Sequence, residues 1–160
     1  MATLRRILAA TDFSDHSKEA LDYAAYLAKS LGAELSLLHV FEPRYYHQDV
    51  MRWMGPEVHV WMKNLREEER RRLADLEKEV REKGIKVRSF FKEGTPFREI
   101  LKAADEISAD LIVLGTHGRT GLDRFMMGSV AERVARSAPC PVFIARPKAR
   151  GGGRKKKMGS

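Results

Sequence analysis

The residues that most clearly indicate chemistry lie between positions 115 and 129, in the stretch GTHGRTGLDRFMMGS. Gly115, Gly118 and Gly128 could adopt backbone angles closed to other residues and would let a ligand come close to the main chain. Ser129 adds a hydroxyl where a helical pattern begins, and the unpaired amides of a helix start attract anions. The stretch therefore suits a polyphosphate, although a long connection with glycine turns would have the same spacing.

A second candidate group follows the first apolar run, in the sequence Thr11-Asp12-Phe13-Ser14. The Asp12 carboxylate could accept hydrogen bonds from ribose hydroxyls or hold a metal ion through water, and it could equally cap the next helix. Thr11 shares these alternatives, and for Ser14 capping is favoured. A carboxylate beside a phosphate-binding loop suits a nucleotide.

Other familiar signatures are missing from the sequence. It has no G-x-x-x-x-G-K-[ST], and no G-x-G-x-x-G follows the first strand, which disfavours P-loop hydrolysis and ordinary NAD binding. The five histidines lack metal-ligand spacing, although His47 and His59 could meet a metal if the connection between them folds back. His117 could touch phosphate, but a histidine in a loop turn is favoured. Cys140 is interpreted as packed and not reactive, because no base partners it. No catalytic residue and no metal ligand is predicted.

Five short apolar runs predict the strands that must position these groups, at residues 4–10, 34–41, 85–91, 110–115 and 141–145. Between them, amphipathic patterns predict four helices. The first runs from Ser14 to Gly32, the second extends to Gly84, and the third and fourth open at Pro96 and after Gly128. The charged run at residues 66–72 is interpreted as a solvated helix face. Residues 42–56 form a long connection of a kind that often binds or covers ligands.

This alternation predicts an α/β fold with a single domain, in which a doubly wound five-stranded parallel sheet of order 3-2-1-4-5 carries helices on both faces. In such sheets ligands bind beyond the carboxyl ends of the strands, where the winding reverses. That point lies between the first and fourth strands. Because Asp12 follows the first strand and the glycine-rich stretch leaves the fourth, we expect the two to converge there.

Composition supports a single folded domain followed by a basic tail. The 160 residues are 43% apolar, enough for one core, and no apolar run reaches the roughly 20 residues that span a bilayer, so we expect a cytoplasmic protein without membrane attachment. The net charge of +8 is concentrated in residues 146–160, which leaves about +1 on residues 1–145. We expect a nucleotide-binding domain over residues 1–146 and a flexible tail over 147–160 that binds nucleic acid at most weakly.

The spacing Gly115-x2-Gly118-x9-Gly128-Ser129, with Thr11-Asp12-Phe13-Ser14 and the Pro139-Cys140-Pro141-Val142 segment, resembles the ATP-binding branch of the universal stress protein family. The resemblance covers about residues 3–146. It implies that Asp12 meets the ribose and that adenine lies between Ala10 and the backbone of Val40. It also implies that Gly115 and Gly118 pass close to the ribose and phosphates, and that Gly128, Ser129 and Val130 hold the phosphates. Arg119 stands where members often have a basic residue, and the alternative is a solvent-facing loop charge.

The resemblance further implies a homodimer joined through the last strands. The residues agree, because Val142, Phe143 and Ile144 would form an apolar edge strand that invites association unless a helix or the tail covers it. We therefore expect a dimeric stress-response regulator that binds ATP or a related adenine nucleotide, with Mg or Mn at the phosphates, and hydrolyses it little. One alternative is a slow nucleotide hydrolase of the adenine-nucleotide α-hydrolase-like type that uses Asp12 or His117. The other is a scaffold whose basic tail binds an acidic partner.

Overall fold

The computed structural model describes residues 3–43, 53, 55–117 and 126–146. The predicted positions Gly118 and Arg119, most of the connection at 42–56, and the tail at 147–160 lie outside these residues. Five strands and four helices alternate along the described chain. The strands are β1 (Arg6–Thr11), β2 (Glu34–Phe41), β3 (Val87–Glu93), β4 (Leu111–Gly115) and β5 (Val142–Ala145). The helices are α1 (Asp15–Leu31), α2 (Pro56–Glu82), α3 (Pro96–Glu106) and α4 (Ser129–Ser137).

All strand pairs are parallel, and the sheet order is β3-β2-β1-β4-β5. This order confirms the predicted doubly wound sheet. The winding reverses between β1 and β4, which pair with Ala9 opposite Val113. β3 lies at one edge, and β5 lies at the other.

The two faces of the sheet bury separate apolar cores. Ile7, Leu35 and Val113 point to the face covered by α1 and α2, where they pack with residues such as Ala24 and Leu73. The neighbouring residues in the strands point the other way, so that Leu8, Leu38 and Ile112 pack with Ile100 of α3 and Val134 of α4. Strands buried on both faces need near-continuous apolar sequence, which explains the unbroken runs of β2 and β4.

Local signals set the helix ends as the sequence predicts. The Ser14 hydroxyl accepts a hydrogen bond from the Ser17 amide at 3.3 Å, so Ser14 caps α1, and Gly32 ends it with φ of 63°. Pro96 occupies the first turn of α3. Within the described residues, no helix has the length and apolar character to cross a membrane.

Strand β3 begins two residues later than predicted. Ile85 is buried in the core of the α1 and α2 face, but it precedes the ladder, which starts with Leu35 opposite Val87. The carbonyl of Lys86 already accepts a hydrogen bond from the Leu35 amide at 2.8 Å. An apolar residue that packs into the core just before a strand looks like part of that strand in sequence.

Candidate functional site

The exits of β1 and β4 and the first turn of α1 meet at one edge of the sheet. Asp12 directly follows β1, and Gly115 ends β4. A Cβ atom placed on Gly115 would lie 2.9 Å from the carbonyl oxygen of His16, so the β4 exit contacts the start of α1 directly. The structure thus brings the Asp12 turn and the beginning of the glycine-rich stretch together at the point where the winding reverses.

The turn after β1 is shaped by hydrogen bonds that its backbone amides donate to its side chains. The Asp12 carboxylate accepts from the Ser14 amide at 2.9 Å, and the Thr11 hydroxyl accepts from the Phe13 amide at 3.0 Å. Phe13 has φ of 64°, a left-handed conformation that is uncommon for a bulky residue and is held here by these bonds. Asp12 therefore forms the turn, and capping of α1 is left to Ser14.

The far end of the glycine-rich stretch returns to the same place. The Gly128 amide donates to the Thr116 carbonyl at 2.7 Å, while the Thr116 amide donates to Ala145 of β5 at 3.1 Å. Gly128 is the N-cap of α4, Ser129 is its first residue, and no side chain of the described residues caps the helix. The first-turn amides of an α-helix have no partner within the helix, and together with the helix dipole they favour an anion.

The structure corrects one expectation for Gly115 and Gly128, that of their backbone angles. Neither has positive φ, so the expectation of backbone angles closed to other residues is wrong at both positions. Both glycines instead allow two parts of the backbone to approach. A Cβ on Gly128 would lie 2.8 Å from the Thr116 carbonyl oxygen, as one on Gly115 would meet His16. A bulky residue at Gly128 would therefore disturb the protein itself.

Ala10, Val40 and Val130 lie on one side of the sheet. All three are half-buried and pack against the core under α3 and α4. Ala10 is near the carboxyl end of β1, Val40 is near that of β2, and Val130 belongs to the first turn of α4. They provide apolar surface beside the helix start where an anion would bind.

A buried histidine and glutamate pair adjoins the Asp12 turn, and the sequence analysis missed it. Nδ1 of His39 lies 2.8 Å from the Thr11 carbonyl oxygen, and its Nε2 lies 2.7 Å from the Glu69 carboxylate. Both side chains are almost fully buried. The interpretation of residues 66–72 as a solvated face is therefore wrong for Glu69. The signal was present in the spacing, because Met62, Glu69, Leu73 and Val80, the buried residues of α2, recur at intervals of seven and four.

Arginines of the same run cover aromatic rings around that pair. Arg66 lies over Phe41, Arg70 over Phe91 and Arg72 over Phe13, with the guanidinium carbon 4.1 to 5.2 Å from the ring centre. Phe13 and Phe91 also contact the His39 ring. Three arginines of the run thus contact aromatic rings near the carboxyl ends of β1, β2 and β3. These contacts anchor α2 at that end of the sheet.

The thiol of Cys140 is half-buried. Burial raises the pKa of the Cys140 thiol, and the carboxylates of Asp110 and Asp105 raise it further. A raised thiol pKa lowers the thiolate fraction and with it the reactivity. Among the residues that the structure describes, no group of three or more His, Cys, Asp or Glu side chains could hold a metal ion. His47 lies outside those residues.

Comparison with known proteins places this arrangement in a family. The sequence profile of the Universal stress protein family matches residues 3–146. The chain is 38% identical over 146 residues to universal stress protein MJ0531 of Methanocaldococcus jannaschii, covering 89% of this chain and 82% of that one. It superimposes on the structure of the MJ0577 protein, a universal stress protein of the same organism, with a TM-score of 0.79 and 30% identity, covering 92% of this chain and 99% of that one.

A third neighbour was solved with a nucleotide. It is the universal stress protein from Archaeoglobus fulgidus in complex with dAMP, and it covers 90% of this chain and 98% of its own at a TM-score of 0.59. Its identity of 22% supports a shared fold and nothing finer.

Proposed function

Because the chain belongs to the universal stress protein family, we propose that it is a dimeric regulatory protein that binds ATP and hydrolyses it slowly or not at all. The observation that carries this proposal is the convergence of the Asp12 turn with the uncapped start of α4 where the winding of the sheet reverses. The dAMP bound by the Archaeoglobus fulgidus protein agrees with an adenine nucleotide in a protein of this fold.

The proposed nucleotide lies across the carboxyl ends of β1, β2 and β4. Adenine packs between Ala10 and the backbone of Val40, and the ribose hydroxyls donate to Asp12 beside Thr11. The phosphates accept from the amides of Gly128, Ser129 and Val130, where the helix start favours negative charge. Gly115 borders the ribose, and Gly118 and Arg119 belong to the same proposed site through the family resemblance.

A divalent cation is proposed to bind together with the phosphates. The described residues offer the Asp12 carboxylate and the Ser129 hydroxyl at the site but no group of three or more candidate ligand side chains. Mg²⁺ keeps several waters and binds readily through substrate phosphates together with one or two protein oxygens. The site fits an Mg²⁺ or Mn²⁺ ion held mainly by the nucleotide, which would neutralise phosphate charge.

We expect ATP hydrolysis to be slow, because the described groups of the site include no dedicated base for the attacking water. Phosphoryl transfer is accelerated by a group that orients the attacking water and by cations that stabilise the transition state. In this proposal the Asp12 carboxylate accepts from the Ser14 amide and from the ribose hydroxyls, so it is engaged away from the phosphates. The alternative, a nucleotide hydrolase, would need Asp12 or His117 as a base. Turnover measurements distinguish this hydrolase from a protein that only binds the nucleotide.

Titration with ATP and Mg²⁺ tests the proposal. Wild-type protein should gain about 2.7 kcal/mol in unfolding free energy when ATP reaches 100 times its dissociation constant. Asp12→Asn should weaken ATP binding about tenfold, because the amide can still accept from the Ser14 amide but loses the charge that favours two ribose hydroxyl donors. Asp22→Asn, an exposed change of equal charge on α1, is the matched control and should bind as wild type does.

Three outcomes would contradict parts of this proposal. An unchanged melting temperature at millimolar ATP would exclude the nucleotide, and equal affinities of wild type and Asp12→Asn would remove Asp12 from the site. Rapid ADP or AMP release that Asp12→Asn abolishes while binding persists would make the hydrolase alternative correct.

A further inference from the structure

Two histidines outside the proposed nucleotide contacts lie side by side at the same edge of the sheet. His16 belongs to the first turn of α1, and His117 follows β4 after Thr116. Their ring centres are 5.4 Å apart, with the ring planes inclined by 52°. They come from chain segments about a hundred residues apart and are brought together by the close approach of Gly115 to the His16 backbone.

Each ring has one nitrogen that is shielded from solvent and has no hydrogen-bond partner in the described protein. These atoms are Nδ1 of His16 and Nε2 of His117. A buried polar atom without a partner is unfavourable, and most such atoms in folded proteins are satisfied by protein, water or an ion. Because the two rings are adjacent, one ligand between them would satisfy both nitrogens.

The separation of the rings fits a shared metal ion. Two imidazoles bound to one tetrahedral zinc ion at about 2.0–2.1 Å have ring centres about 5 Å apart. The observed 5.4 Å is within a few tenths of an ångström of that separation. Neutral imidazole nitrogens suit Zn²⁺, Ni²⁺ and Cu²⁺, whereas Mg²⁺ prefers oxygen.

The surroundings of His117 also resemble those of a metal ligand. Its Nδ1 lies 3.1 Å from the Thr116 hydroxyl, which can accept a hydrogen bond from Nδ1–H and so favour the tautomer with a lone pair on Nε2. Thr116 is buried and is fixed by hydrogen bonds of its own backbone to Ala145 and Gly128. A rigid partner of this kind selects the tautomer and holds the ring in place.

We propose that His16 and His117 form a binding site for a divalent transition metal ion such as Zn²⁺, in which the two shielded nitrogens turn toward the ion and water completes its coordination. The site does not depend on the proposed nucleotide and should take up the metal in its absence. It differs from the cation that accompanies phosphates, since its donors are two imidazole nitrogens and not oxygens.

Metal binding by the full chain without nucleotide tests this proposal. Titration with Zn²⁺ by calorimetry should show one site per chain that excess Mg²⁺ does not displace. Substitution with Co²⁺ should produce the visible absorption of a low-symmetry site with nitrogen ligands. His16→Ala and His117→Ala should each weaken Zn²⁺ binding by more than about tenfold, since even loss of an outer-shell partner costs 10–100-fold.

Two further variants separate coordination from a structural effect. His59→Ala removes an exposed histidine of α2 and should leave the affinity unchanged. Thr116→Val keeps the shape of the side chain but removes the hydroxyl, so it should weaken Zn²⁺ binding about tenfold. Circular dichroism and melting curves without metal establish that each variant is folded.

The proposal is wrong if wild type takes up no Zn²⁺ and shows no Co²⁺ absorption at millimolar metal. It is also wrong if Zn²⁺ binds wild type and the His16→Ala, His117→Ala double variant equally, or if Mg²⁺ competes on equal terms. A site lost in His117→Ala but retained in His16→Ala would show that the histidine pair is not the binding unit.

Discussion

At the scale of single residues, the glycines at the two ends of the 115–128 stretch are required by the backbone of the protein itself. At Gly115 the atoms closest to an added Cβ are the carbonyl of His16 and the amide of Ser17, none of which can move without shifting α1. The same position is also proposed to border the ribose. Gly115 is therefore required by the fold and is also proposed to contact the ligand. Only a measurement of stability separates these two roles.

We predict that Gly115→Ser destabilises the protein by about 1–3 kcal/mol, the usual cost of forcing atoms into a packed site. Gly55→Ser is the matched control, because Gly55 is the N-cap of α2 with φ of −62° and nothing lies within 4 Å of an added Cβ. Serine is favoured at such a position, so this control should be neutral or slightly stabilising. Urea unfolding of both variants checks the prediction, and equal stabilities would contradict it.

At the scale of secondary-structure elements, α2 is held to the sheet by the His39 and Glu69 pair. This contact joins α2 to β2 and, through the Thr11 carbonyl, to the end of β1. Because Thr11 immediately precedes Asp12, the same contact supports the turn on which the proposed ribose contact depends. The pair therefore contributes to both stability and the geometry of the site.

We predict that Glu69→Ala costs about 3 kcal/mol, because it leaves His39 buried and unpaired. Glu69→Gln should cost less, because its amide can donate to Nε2 of a neutral His39 whose Nδ1 donates to the Thr11 carbonyl. Glu67→Ala is the control, since Glu67 is an exposed residue of α2 in a surface ion pair with Lys63 at 4.0 Å and should cost less than about 1 kcal/mol. Chemical unfolding measures all three, and equal losses for Glu69→Ala and Glu67→Ala would contradict the prediction.

The elements also show where sequence reasoning succeeds and where it fails. The order of strands and helices was predicted correctly because parallel strands buried on both faces leave unbroken apolar runs, and because caps such as Ser14 and Gly32 mark helix ends. Glu69 was missed because a charge inside a charged run looks solvated, and its partner His39 lies thirty positions away in an apolar strand. The role of Gly115 could not be predicted either, since sequence does not show which backbone will approach it.

At the scale of the whole molecule, the edge strand β5 carries the surface, among the described residues, at which we propose that a second copy of the chain binds. Phe143 is 37% exposed, Val142 and Ile144 are half-buried, and β5 pairs with β4 along one side. An apolar edge of this kind favours pairing with another strand. The proposed homodimer would pair the two copies of β5 and so cover Val142, Phe143 and Ile144.

We predict that the wild-type protein has twice its chain mass of 18.2 kDa in solution, and that Phe143→Lys is a monomer. Lysine on an edge strand opposes pairing through charge, and two copies would bring like charges together. Val60→Lys is the control, because Val60 is an apolar residue that is 58% exposed on α2, the helix that packs on β2 and β3 at the other edge of the sheet. Light scattering after size-exclusion chromatography gives the masses. A monomeric wild type, or a dimeric Phe143→Lys, would contradict the proposed interface.

The hydrogen bond from the Gly128 amide to the Thr116 carbonyl holds the two ends of the intervening segment close together, because the chain leaves β4 and enters α4 at nearly one point. Neither the sheet nor the helix then fixes how long that segment must be. Exchange of the intervening residues between relatives should therefore transfer ligand preference from one scaffold to another while the melting temperature of the recipient scarcely changes.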